Sequence, residues 1–134
     1  PVDSAMFYDG RCGVSMFSSL FNPLTEAPFP AYYAFLAFNV LYRLGQEVAV
    51  YTEQMGEAGQ ADAALRVLAA RGEKDGAARG AVLICNPTGT SLPLELSANG
   101  RLTSCSVLTE EGLAEIPLPA ELESGAVLLA EYAL

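Results

Sequence analysis

Histidine and tryptophan are both absent from this 134-residue chain, and cysteine occurs only as Cys12, Cys85 and Cys105. Without histidine the Ser-His-Asp and Cys-His arrangements of nucleophilic catalysis are excluded, leaving Asp, Glu, Tyr and Lys as groups for proton transfer. Three widely spaced cysteines with no Cys-x-x-Cys, in a chain without histidine, also argue against a zinc site. Free thiols suit a reducing compartment. Basic residues are sparse as well: seven Lys and Arg stand against sixteen Asp and Glu, and Leu102 to Leu134 holds neither Lys nor Arg. A net charge of −9 excludes an electrostatic footprint for nucleic acid or an anionic membrane. No apolar run reaches the length of about eighteen residues that a membrane-spanning helix needs, and no signal peptide is visible. A cytoplasmic location is therefore the expectation. The opening Pro-Val, in place of Met, suits an excised or processed chain.

What is present centres on Pro28 to Gly45. Pro30 fits a first helical position, where a missing N–H costs nothing. Arg43 falls in the last turn, where a cation favours the dipole, and Gly45 can take the left-handed conformation that ends a helix. The spacing predicts a helix over 30–44, a rod of roughly 22 Å. Between Ala31 and Leu44 the strongly polar residues are Asn39 and Arg43, four apart on one narrow stripe. Such a helix is expected to be packed on nearly all sides, either as a central core helix or as one whose usual packing partner lies outside this chain.

Before the helix, Ser4 to Tyr8 reads as a short apolar strand closed by Asp9-Gly10, Val14 to Phe21 as a second apolar stretch, and Asn22-Pro23 as a breaker. After Gly45, short segments recur about every ten residues between turn residues, the pattern of an all-β sandwich. Strands are expected at about 47–52, 65–71, 80–86, 91–97, 102–108, 113–117 and 126–133, with a mobile linker over Met55 to Gln60. Glu73-Lys74-Asp75-Gly76 predicts one hairpin. Asn99-Gly100 predicts another, a tight primed turn joining the leucine-alternating segment 92–96 to 102–107. Gln60 to Ala70 has helix propensity, but the hairpin needs a strand partner there, so a loop and then a strand is expected. The fold class is thus α+β, one long helix with a mainly antiparallel β-sandwich.

Eleven of the twelve Phe and Tyr lie at or before Tyr51, and only Tyr132 follows. A sugar-binding sandwich stacks rings on exposed aromatics, so this β region reads as structural rather than as a carbohydrate-binding module. Glu110-Glu111 reads as a solvated turn, since consecutive residues of an extended segment point opposite ways. Cys85 and Cys105 read as inert thiols in strands, and Cys12, in a Gly-flanked loop, as the exposed one.

Three pieces carry a family resemblance: Met6-Phe7-Tyr8-Asp9-Gly10-Arg11, then Leu20 to Thr25, then Ala31 to Gly45. In this order, followed by Val67 to Ala70, Ala81 to Asn86 and Gly125 to Leu129, the chain resembles the C-terminal end of a clan A glycoside hydrolase, most like family 39 and its β-xylosidase relatives. The resemblance implies that residues 1–46 are the last strand and last helix of a (β/α)8 barrel, and that 47–134 are the β-sandwich beside it. It implies hydrolysis of β-xylosides or related plant-type glycosides by a parent enzyme whose two catalytic glutamates precede Pro1. A retaining glycosidase needs two carboxyl groups about 5–5.5 Å apart. This chain alone is accordingly expected to be inactive, with no catalytic residue, cofactor or metal. Tyr8, Asp9 and Arg11, at the mouth of the barrel strand, are the candidate substrate contacts of a complete enzyme. Asp9 reads equally well as a turn residue before Gly10. The expected partner is the missing barrel or a second copy, through the helix 30–44: with barrel neighbours gone, faces bearing Phe7, Tyr33, Leu41 and Leu44 are left open. A self-contained structural or interaction domain, whose helix packs across its own sheet, is the remaining reading.

Overall fold

The structure, a computed structural model, describes residues 20–50 and 65–134. Along these run helix α1 (Pro30–Leu44) and eight strands, β1 (Gln46–Glu47), β2 (Arg66–Lys74), β3 (Ala77–Cys85), β4 (Leu92–Pro93), β5 (Arg101–Thr109), β6 (Gly112–Glu115), β7 (Glu121–Leu122) and β8 (Val127–Ala133). The expected strand 4–8, the stretch before residue 20 and the linker 55–60 lie outside the described residues. The α+β class stands. The helix has the expected bounds, but at fifteen residues it is close to ordinary length rather than long.

Local chemistry explains α1. The Asn22 side chain accepts from the N–H groups of Leu24 and Thr25 at 2.9 and 3.1 Å, turning the chain after Phe21. Phe21 then bridges Pro28, and its ring lies 5.0 Å from that of Tyr32, which sets the angle of entry. Pro30 occupies the first turn. Gly45 ends the helix at φ 85°, its N–H donating to the Leu41 carbonyl. No helix among the described residues is long and apolar enough to cross a membrane.

Six strands form one antiparallel sheet in the order β1-β2-β3-β8-β5-β6, and β4 pairs with β7 in a separate two-stranded sheet. The β2–β3 hairpin falls where expected. Lys74 faces Ala77, and Asp75 and Gly76 between them take φ 55° and 75°, the primed geometry that matches strand twist. The strand preferred over a helix after Gln60 is present from Arg66 onward.

Alternation along the strands gives the large sheet two apolar faces. On one, Ala70, Ala81 and Leu129 pack against Ala37 and Leu41 of α1, with Val40, Leu44, Leu83 and Leu113 around them. On the other, Ile84, Leu128 and Cys105 pack against Leu94 and Leu122, which flank or belong to the β4–β7 pair. β8, near the middle of the sheet, is buried on both faces over Leu128, Leu129 and Ala130.

Two expectations are corrected. Asn99-Gly100 is not a primed hairpin turn: neither residue has positive φ, β5 pairs with β6 and β8, and the 92–96 segment is a strand only at Leu92–Pro93, paired to β7. Leu94 is drawn away because it seals the second core with Leu122. Glycine is needed at 100 for another reason, since a Cβ there would meet the Ala133 carbonyl oxygen at 2.6 Å. Gly100→Ala is therefore expected to cost about 1–3 kcal/mol by overpacking, whereas Asn99→Ala stays within about 0.5 kcal/mol. Urea midpoints check this. Equal losses at the two positions would restore the turn geometry.

The second correction concerns α1. Its open face is not the one bearing Tyr33, Leu41 and Leu44. Leu41 is only 5 % exposed against the sheet, and Tyr33 and Leu44 are half-buried. Nor is the helix packed all round: Phe38 is 47 % and Tyr42 75 % exposed, with Phe35 and Leu36 also exposed. The reason is the sheet itself, which offers small residues, Ala70, Gly72 and Ala81, under one side of the helix only.

Candidate functional site

Tyr8, Asp9 and Arg11, the sequence-derived substrate contacts, lie outside the described residues, as does Cys12. The remaining candidates can be placed. Glu110 and Glu111 form the exposed two-residue turn between β5 and β6, where Thr109 Oγ1 donates to the Gly112 carbonyl at 2.9 Å and accepts from the Glu111 N–H at 3.2 Å. They belong to a solvated turn, as expected.

Among the described residues every carboxylate is exposed except Glu131, which is half-buried on β8. Its Oε1 accepts from Ser104 Oγ at 3.2 Å, and Thr103 Oγ1 donates to its backbone carbonyl at 3.0 Å across the irregular register between Leu102 and Ser104. This carboxylate is thus tied to a serine of the neighbouring strand. No group of three or more His, Cys, Asp or Glu residues able to hold a metal occurs among the described residues. Burial in the second core pushes the Cys105 thiol up, as befits an inert cysteine. Burial, and then the nearby Cys105, do the same to the Tyr132 phenol.

One polar centre escaped the sequence reading. Asn86 is fully buried, yet its whole hydrogen-bonding capacity is used. Nδ2 donates to the Thr90 and Leu122 carbonyls at 2.8 Å each, while Oδ1 accepts from Thr88 N–H at 3.0 Å and Thr88 Oγ1 at 2.7 Å. Its backbone is engaged too, donating to Ala126 and accepting from Gly125. Ser124 Oγ closes the cluster on the Thr88 carbonyl. The signal was Asn86-Pro87-Thr88, an Asx-type turn sequence that also reads as a plain strand end. With every atom satisfied this is a brace tying the 86–91 loop to β7 and the turn before β8, not a reactive centre.

The feature left over is the outer face of α1. Phe38 and Tyr42 are four apart and share one side with Phe35 and Asn39, and the helix carries no acidic residue. Among the described residues, the aromatic side chain that belongs to a sheet is Tyr132, which is buried. The described surface therefore offers its exposed rings on the helix and the segment leading into it.

No protein-family model matches the chain, and no curated protein matches it significantly.

The described residues offer an apolar helix face and a polar brace inside the β layer.

Proposed function

We propose that this chain is a non-catalytic structural region of a glycoside hydrolase, bracing a catalytic barrel that would act on β-xylosides or related plant-type glycosides. The observation that carries the reading is the exposed apolar side of α1. The packing of its other side on the chain's own sheet is equally what a self-contained domain would have. One side, Ala37 and Leu41, is consumed by the chain's own sheet. The other, with Phe38 and Tyr42, is exposed and apolar in a protein of net charge −9. A barrel's last helix has this requirement, since it faces both its neighbours in the barrel and whatever packs outside. On this reading residues 1–46 belong to the barrel and 47–134 form a two-sheet sandwich, with β4 and β7 as its minor layer. The parent barrel is the partner proposed for the helix face, and a second copy substitutes for it when the barrel is absent. A carbohydrate-binding module is disfavoured by the lack of any exposed ring on either sheet among the described residues.

Two measurements test this. The purified chain is expected to hydrolyse no aryl β-xyloside or related glycoside. Turnover that disappears when one of its own carboxylates is replaced would overturn the non-catalytic assignment. In sedimentation at micromolar concentration the chain is expected to associate, and Phe38→Glu to return it to a 14.1 kDa monomer by placing a charge that must be desolvated in the contact. A wild-type monomer at every concentration would overturn self-association through the helix face.

A further inference from the structure

Freed from the turn expected of it, Asn99-Gly100 presents a different chemistry. We propose that Asn99 is the site at which this chain spontaneously deamidates, by attack of the Gly100 backbone nitrogen on the Asn99 side-chain amide. Both residues are exposed and lie outside any strand, with β5 beginning at the next residue. Glycine leaves its own nitrogen unshielded, and the backbone ahead of it is not held by a ladder. A local restraint, the Gly100 N–H bond to the Ala98 carbonyl at 2.9 Å, joins two exposed residues and is replaced by water at little cost.

The other three asparagines are each blocked. Asn22 and Asn86 precede Pro23 and Pro87, whose ring nitrogens carry no proton to lose and cannot form the neutral imide. Asn86 is in addition buried, with its Nδ2 committed to two carbonyls. Asn39 is half-buried inside α1, where helical geometry turns the next nitrogen away and the branched Val40 shields it. Asp75-Gly76 could reach the same imide only by expelling hydroxide or water from a carboxyl group, and its backbone is locked in the primed turn.

The reaction balances without a co-reactant other than water. A bond forms between Gly100 N and Asn99 Cγ while the Gly100 proton passes to solvent. The Cγ–Nδ2 bond breaks and ammonia leaves, giving a cyclic imide. Water then opens the imide at either carbonyl, yielding aspartate or isoaspartate. Both products add a negative charge to an already acidic chain. Isoaspartate also inserts a methylene into the backbone immediately before Gly100, which already lies against the Ala133 carbonyl. The pairing of Arg101 and Leu102 with Ala133 and Tyr132 is the part of the sheet that would loosen.

The folded chain, held warm at mildly acidic and at mildly alkaline pH, would be digested and its peptides mapped by mass spectrometry. Exchange of one NH for O is expected on the Asn99 peptide alone, in two chromatographically distinct products, several-fold faster in the alkaline sample. Asn99→Gln, which lacks the favourable ring closure and sits on the surface, is expected to abolish the acidic species seen on isoelectric focusing. An unchanged Asn99 peptide, earlier conversion at Asn39, or an acidic species that persists in Asn99→Gln would each overturn the proposal.

Discussion

Gly72→Ala is expected to be the most damaging addition of a methyl at any described glycine, costing on the order of 3 kcal/mol. A Cβ at residue 72 would lie 2.0 Å from the Leu44 carbonyl oxygen, 2.7 Å from its carbon and 2.9 Å from its Cα. All three are backbone atoms of the last residue of α1, so no side-chain rotation relieves the clash. Either β2 bends or the end of the helix lifts, and lifting withdraws Leu41 from Ala70, Ala81 and Leu129. Partial exposure of such a side chain alone costs about 1–2 kcal/mol. Against a total stability of about 5–15 kcal/mol for a domain, the loss shows as a large fall in the urea midpoint. Gly89→Ala is the control, because nothing lies within 4 Å of the added carbon and the residue is not at positive φ. It should shift stability by no more than about 0.5 kcal/mol. Matching midpoints for the two variants would mean that the helix does not sit on β2 as described.

Asn86→Asp is the second large effect and the more diagnostic one. The substitution keeps the shape and the acceptor facing Thr88. It replaces two donors by a carboxylate oxygen pointed at the carbonyls of Thr90 and Leu122. A buried charge facing two acceptors should cost about 3–5 kcal/mol near pH 7. Burial and those carbonyls both disfavour the ionised form, so the folded-state pKa of the new carboxyl lies above its ordinary value of about 3.9. The sign follows: below about pH 4 both folded and unfolded states are protonated and the charge penalty is absent. It accumulates as pH rises, while the unfolded chain ionises and the folded one resists. Relative to wild type, Asn86→Asp should therefore lose stability progressively above about pH 4. A protonated carboxyl restores one of the two lost donors, so a smaller deficit remains in acid. Urea midpoints of both proteins across this range decide the matter, and a pH-independent difference would show that residue 86 is reached by water.

The parts of this fold written in local sequence were legible. Pro30, Arg43 and Gly45 mark the ends of α1, and Asp75-Gly76 is the turn its sequence specifies. β2 could be preferred over a helix because its hairpin partner was close at hand. What failed depended on distant partners. Asn99-Gly100 has the composition of a primed turn, but Leu94 joins Leu122, far along the chain, and the local preference yields to burial. The helix could be recognised as apolar, yet which side it would bury was set by the small residues Ala70, Gly72 and Ala81 beneath it. A glycine within a strand announces close approach without naming the neighbour. Of the candidate site, the expected substrate contacts Tyr8, Asp9 and Arg11 lie outside the described residues. Asn86 went unrecognised because its role rests on Leu122, thirty-six residues away.

The position of β8 has a consequence for the order of assembly. It lies between β3 and β5, so the hairpin β2–β3 and the hairpin β5–β6 share no ladder with each other until residues 127–133 enter between them. Each hairpin can close on its own within microseconds. Their union waits for a segment made after both, and during synthesis at about 5–20 residues per second the inner edges of β3 and β5 stand unpaired for seconds. Those strands carry Val82, Leu83, Ile84 and Val107, which exposes the nascent chain to mispairing until β8 is in place.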